Sequence, residues 1–220
     1  MSSKTKQVEK FFHSYAGGFD SIYGHTTRRS KFDKWVDKTF RKTMFLRFEE
    51  TLKNTANPEI HSVLDIGCGS GRYIIEFLLQ GKDVTGIDLA QGMIDIAKSQ
   101  TEKIDHKGRK QFIIADYMQY DFDRQFDAAC LMGVFDYIEK PVEMLKKLKR
   151  DISKEIYASF PHDSGLLAFQ RKIRYKIREC PLYYYSYNDV VNLLKEAGLD
   201  KNFEIVDFKR DYFVKIILNK

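Results

Sequence analysis

The stretch VLDIGCGSG, residues 63–71, constrains this chain more than any other. Its apolar start reads as a short buried strand, its glycines as a sharp turn, and the residues through IIEFLLQ as a helix. Gly67, Gly69 and Gly71 let the backbone turn tightly and leave room for a ligand lying against it. The spacing is not that of a dinucleotide loop. The sixth position of GxGxxG is Arg72 here, and the third glycine comes one residue early. Asp65, two residues before Gly67, is a poor neighbour for a pyrophosphate and a good one for a cationic amino group. Asp88 ends the next apolar run, 21 residues after Gly67, where an acid can accept hydrogen bonds from both ribose hydroxyls. A bare GxGxG is a weak signal; joined to both acids and to the strand order, it is strong.

The rest of the chain repeats the strand–helix rhythm. KDVTGID (82–88), QFIIAD (111–116), DAACLMG (127–133) and EIYASF (155–160) read as further strands. GMIDIAKSQ and PVEMLKKLKRDI read as helices between them, with Pro141 suited to a first helical turn. Such alternation predicts an α/β fold: a doubly wound, mostly parallel sheet with right-handed crossovers. After the helix DVVNLLKEAG, EIVDFK and YFVKIILN are separated by only a few residues, which predicts an antiparallel C-terminal hairpin. Before residue 59 the pattern is helical. Phe12, Tyr15, Phe19 and Tyr23 recur at helical spacing around Gly17-Gly18, and Phe32, Trp35, Val36, Phe40, Met44 and Phe48 form a second stripe. The expected organisation is one domain: a helical lid (1–58), a ligand-binding core (59–160), a substrate-side insertion (161–186), and a closing helix and hairpin (187–220).

At 220 residues the chain can bury a substantial core. A net charge of +6 favours anionic partners in general. Cys68, Cys130 and Cys180 are widely spaced, with no CxxC or Cys/His pairing; reduced thiols and no metal site are expected. The opening MSSKTKQVEK is hydrophilic, and no apolar run approaches the roughly 18 residues that span a bilayer. A soluble, cytoplasmic protein is expected. Nothing in the sequence sets its oligomeric state.

DIGCGSG resembles the glycine-rich signature of the class I S-adenosylmethionine-dependent methyltransferases, and IDLAQGMIDIAK resembles that family's second signature. The resemblance covers residues 60–160. It implies a Rossmann-like, seven-stranded sheet with a reversed last strand and S-adenosylmethionine as cofactor. Asp65, Gly67, Cys68, Gly69, Gly71, Asp88, Leu89 and Met93 are the cofactor contacts it implies, with Ala97 at a matching place. FIIADY matches the segment whose acid meets the adenine amino group, which points to Asp116 with Tyr117 beside it. Ala90 stands where the family often has serine, removing one optional hydrogen bond. A narrower similarity is to magnesium-protoporphyrin O-methyltransferases: YAGGFDSIYG, then SFP, a basic stretch and a Tyr-rich segment follow that layout. It points to Tyr23, matching an N-terminal tyrosine of that family, and to Asp136, which stands where that family has histidine.

The acceptor side follows from chemistry. Methyl transfer is an in-line displacement, so a protein mainly aligns the reactants and excludes water. Asp136 and His162 follow the fourth and fifth strands, at the carboxyl edge where open sheets place ligands. Together with Tyr23 they are the candidates to orient or deprotonate the acceptor. Tyr15 and Tyr23 are expected to close over the cofactor. RKIRYKIR (171–178) carries five positive charges in eight residues, and Arg171, Arg174 and Arg178 fall on one helical stripe. Their planar forks suit the acidic group of a small substrate, with Tyr184 and its neighbours supplying walls. A solvated charged face and peripheral membrane contact are the other readings of that stretch. Nucleic acid is disfavoured, since LMGVFDYIEKP lacks the Asn/Asp-Pro-Pro-aromatic motif of base-methylating relatives. O-methylation of a small, anionic molecule is the leading expectation. N-methylation of a small molecule and a nucleic-acid enzyme or binding module are the alternatives.

Overall fold

A computed structural model describes residues 31–163 and 182–218, together with Gln7; for residues 31–41 only the backbone is described. Helix α1 (Lys31–Thr55) leads into β1 (Ser62–Ile66), α2 (Arg72–Leu79), β2 (Asp83–Asp88), α3 (Gln91–Thr101) and β3 (Lys110–Ile114). A short 3-10 turn (Tyr117–Gln119) precedes β4 (Phe126–Leu131), α4 (Pro141–Asp151) and β5 (Ile152–Pro161). After the undescribed residues come α5 (Tyr187–Glu196), β6 (Phe203–Asp207) and β7 (Asp211–Ile217).

The seven strands run in the order β3-β2-β1-β4-β5-β7-β6. The first five are mutually parallel, while β7 lies between β5 and β6 and is antiparallel to both. The predicted hairpin is therefore present, with its second strand placed inside the sheet. Lys209 takes a positive φ of 67° in the tight connection. Because crossovers cover both faces, β1, β4 and β5 are buried along most of their length. One core joins Leu64, Ile156 and Val214 to Leu145 and Leu148 of α4 and Leu194 of α5. The other joins Val63, Ala128 and Tyr157 to Phe77 of α2 and Ile94 of α3, with Leu52 of α1 packed against it.

The C-terminal half of α1 belongs to that second wall. Thr43 Oγ1 donates to the Phe208 carbonyl, and Lys215 Nζ of β7 donates to Asn54 Oδ1 at 2.8 Å. Between Thr43 and Asn54 the helix is thus hydrogen-bonded to the closing hairpin. No helix among the described residues is long and apolar enough to cross a membrane.

Strand order reverses direction between β1 and β4, the switch point at which an open α/β sheet leaves a crevice beyond its carboxyl ends. Both predicted acids and the glycine turn converge there.

Candidate functional site

The turn after β1 is held by its own backbone. The N–H groups of Gly67 and Cys68 both donate to the Ile87 carbonyl at the end of β2, at 2.8 and 3.3 Å. Gly67, Gly69 and Gly71 all have positive φ, of 65°, 52° and 82°. Two of them are also needed for close approach. A Cβ on Gly67 would fall 2.8 Å from Val134 Cγ2, just past β4, and one on Gly71 would fall 2.9 Å from Ala97 Cβ on α3. At Gly69 such a Cβ would meet nothing within 4 Å among the described residues, so in these the turn is open at its tip.

Asp88 organises that tip. Its Oδ2 accepts from the Gly69 N–H and its Oδ1 from the Ala90 N–H, each at 2.9 Å. Ala90 is the N-cap of α3 and has no side-chain cap of its own, so the carboxylate two residues earlier serves that helix end. Burial pushes the Asp88 carboxyl upward, while the hydrogen bonds from Ala90, Gly69 and Leu89 pull it back.

Asp65 is the more unusual acid. It is 2% exposed, and its buried Oδ2 has no hydrogen-bond partner among the described residues. Burial pushes its carboxyl well above the usual carboxylate range, and neighbouring Asp88 pushes the same way; a hydrogen bond with the Cys130 thiol opposes both. A buried acid with an unpartnered oxygen is costly, and nearly every such group in a folded protein finds a partner. A cationic amino group at Oδ2 would supply it. The open Gly69 tip and this unpartnered oxygen fit the aminoacyl end of S-adenosylmethionine.

The other expected contacts divide. Leu89 is half-buried beside this tip, and Met93 is buried on the first turn of α3. Asp116 accepts the Met118 N–H through Oδ1 at 3.0 Å, capping the 3-10 turn while staying half-buried beyond β3. The Cys68 side chain joins the second core against Ile74, and burial, reinforced by Asp65 and Asp88, pushes its thiol well up. Tyr117 has a place other than the one expected. Its hydroxyl donates to Asp151 Oδ2 at 3.0 Å inside the first core, and Lys147 lies 4.7 Å above its ring. Its side chain is committed to that network under α4, so only its backbone adjoins Asp116.

On the acceptor side, Asp136 is 5% exposed. The N–H of Tyr183 donates to its carbonyl at 2.8 Å, and the Tyr185 hydroxyl donates to the adjacent Phe135 carbonyl at 3.1 Å. Tyr185 also forms a parallel bridge with His162. The segment 182–186 thereby ties the ends of β4 and β5 together and brings Asp136, His162 and half-buried Tyr184 to one edge of the sheet. His162 Nε2 lies 2.7 Å from the Tyr212 hydroxyl, with Asp163 3.5 Å from Nδ1. Asp136 does not cap the following helix, whose N-cap is Lys140. Tyr15, Tyr23, Arg171, Arg174 and Arg178 lie outside the described residues.

Sequence reasoning missed Arg47. It reaches from α1 to the same edge, donating to Asp211 Oδ2 at 3.0 Å and to Ser159 Oγ at 3.4 Å. Ser159 Oγ in turn accepts the Gly133 N–H at 2.8 Å, just past β4. The available signal was an arginine three residues after Met44, on the stripe expected to be apolar.

A methyltransferase-domain family profile matches residues 63–154. The chain is 30% identical over 156 residues to the O-methyltransferase cnsE of Penicillium expansum, covering 66% of this chain and 52% of that protein. It is 26% identical over 96 residues to the ubiquinone biosynthesis O-methyltransferase of Hydrogenovibrio crunogenus, covering 44% of this chain and 40% of that one. The chain thus spans about half the length of these curated relatives. In fold it is similar to magnesium protoporphyrin IX methyltransferase from Synechocystis PCC 6803, solved with bound SAH, at a TM-score of 0.77 and 20% identity over 98% of this chain and 100% of that one. Residues 63–154 thus match a methyltransferase domain, and the chain has the fold of the class I S-adenosylmethionine-dependent methyltransferases.

Proposed function

We propose that this protein transfers the methyl group of S-adenosylmethionine to an oxygen of a small, anionic acceptor in the cytoplasm. The observation that carries the cofactor is the buried Oδ2 of Asp65, which has no partner among the described residues, on the strand that leads into the glycine turn. A dinucleotide would bring phosphates to that carboxylate, and the repulsion disfavours NAD. Asp65 would hold the cationic amino group, Asp88 the ribose hydroxyls, and Asp116 the adenine amino group. When bound, the cofactor supplies an electrophilic methyl group on a cationic sulfur.

The chain's own residues align and protect. Asp136 and His162 stand at the adjoining edge, where an acceptor hydroxyl would lie within reach of a carboxylate oxygen or an imidazole nitrogen able to take its proton. Tyr184 and the 182–186 segment wall that edge, and wall residues serve the displacement by excluding water. The O-methyltransferase relatives favour oxygen as the target. The net charge of +6 favours an anionic acceptor, which Arg171, Arg174 and Arg178 would draw in. Calorimetry tests the cofactor: S-adenosylmethionine and S-adenosylhomocysteine bind, and NAD does not. Radiolabelled methyl transfer to a panel of small phenols, carboxylates and amines then identifies the acceptor. Label incorporated only into amines would replace the oxygen assignment, and binding of NAD alone would overturn the whole reading.

A further inference from the structure

The backbone just past β4 is held by one hydroxyl. The parallel ladder between β4 and β5 ends at the Leu131–Ala158 pair, and Gly133 then turns the chain with a φ of 81°. Its N–H, beyond the ladder, donates to Ser159 Oγ of β5 at 2.8 Å. Ser159 is buried, and its cross-strand partner Phe213 belongs to the second core, so the serine is a polar point in an apolar wall. Such a group is costly unless it is hydrogen-bonded. Its oxygen also accepts from Arg47 Nη1 at 3.4 Å, the same nitrogen that donates to Asp211 Oδ2 at 3.0 Å. The residue after Gly133 reaches the glycine turn: Val134 Cγ2 stands 2.8 Å from where a Cβ on Gly67 would lie. A line of contacts thus runs from α1 and β7 through Ser159, Gly133 and Val134 to Gly67.

We propose that Ser159 is a positioning residue for cofactor binding: by holding the Gly133 N–H it seats Val134 on Gly67 and so keeps the glycine turn in its binding shape. This rests on the S-adenosylmethionine reading above. The strand that carries the turn, β1, lies between β2 and β4. On the β2 side the turn is tied by the Gly67 and Cys68 N–H groups to the Ile87 carbonyl. On the β4 side Val134 supplies the contact, and its place depends on the glycine before it. Glycine has the widest choice of backbone conformations, so a glycine that must keep one of them needs a tie. The far end of the segment has its own: Phe135 stacks on Phe160 at 4.2 Å, and its carbonyl accepts from the Tyr185 hydroxyl. The near end has Ser159. Serine suits the place because it is short, and its two lone pairs can accept both the Gly133 N–H and the Arg47 guanidinium.

The test uses Ser159→Ala, Val134→Ala and the double variant in the full chain. Calorimetry with S-adenosylhomocysteine should show Ser159→Ala binding about fivefold more weakly, as expected for one lost hydrogen bond. Val134→Ala should also weaken binding, and the double variant should be no weaker than the poorer single one, because the serine acts through the valine. Losses that multiply in the double variant overturn the proposal, as does wild-type affinity in folded Ser159→Ala. Amide exchange without ligand reads the same link. The Gly67 N–H, bonded to the Ile87 carbonyl, should exchange faster in Ser159→Ala by a larger factor than the amides of α4 on the opposite face. Equal acceleration at both places marks a general loss of stability and overturns the proposal. Should Ser159→Ala not fold, Ser159→Cys, with a weaker acceptor of similar size, takes its place in the cycle. If wild type binds no adenosyl ligand while Gly67 exchange still responds, the cofactor reading has failed and the proposed role in binding falls with it.

Discussion

Arg47 on α1 and Asp211 on β7 form an ion pair at 3.0 Å with only 15% and 8% of their side chains exposed. Removing one member of a buried pair leaves the other charge uncompensated. Arg47→Met should therefore destabilise the protein by about 3 kcal/mol. The double variant Arg47→Met/Asp211→Asn should recover much of that loss, because no charge is left stranded. Urea unfolding of the four proteins of this double-mutant cycle gives the comparison directly.

Asp65→Asn should separate stability from binding. The folded state raises the Asp65 carboxyl above its unfolded value, so the folded protein holds that proton more tightly. Stability is then lost as pH rises from the ordinary carboxylate range toward the raised value, and the loss is fully present above it. The asparagine variant escapes this penalty. Without ligand it should melt at a higher temperature than wild type near pH 7, with the gap closing in acid, and it should no longer bind S-adenosylmethionine. Melting scans at pH 4 and pH 7 check the sign.

Asp88→Ala should weaken cofactor binding on the order of 10-fold or more, since hydrogen bonds to a charged group are worth roughly 1.5–3 kcal/mol. It should also loosen the ligand-free turn, because the Gly69 and Ala90 N–H groups both lose their acceptor. Faster amide exchange at these two residues, measured with the dissociation constant, would show both effects.

Gly69→Ala and Gly71→Ala should behave oppositely. Each substitution puts an L-residue in the left-handed region, at roughly 1–2 kcal/mol. At Gly71 the new methyl would also meet Ala97 Cβ at 2.9 Å, so α2 and α3 must part and stability should fall further. At Gly69 the methyl enters open space, so the protein should fold with the smaller loss and bind cofactor poorly. Calorimetry and thermal melting on both variants distinguish the two outcomes.

The sheet was readable because apolar runs alternated with amphipathic ones. Every strand from β1 to β7 falls within a few residues of its expected place. The largest displacement is at β5, which begins at Ile152 and not Glu155. There Ile152 ends α4 and starts the strand at once, so no turn residues mark the join. The acids of the turn were readable because strand ends and glycines fix where Asp65 and Asp88 must stand. Tyr117 was not, because its neighbour Asp116 gives no hint that the ring turns inward to Asp151 and Lys147, residues more than 25 positions away. Arg47 has partners 112 and 164 positions away, and one sequence contains no trace of such distant pairings.

The placement of β7 has a consequence for the order in which the molecule can be assembled during synthesis. Six strands leave the ribosome before it, yet among the described residues β6 pairs with β7 alone, and β5 has one side unpaired until β7 arrives. Asp211, the anchor of Arg47, is the first residue of that strand. A nascent chain therefore keeps an open sheet edge and an incompletely docked α1 until its closing segment emerges, and the acceptor edge is the last part of the protein to take shape.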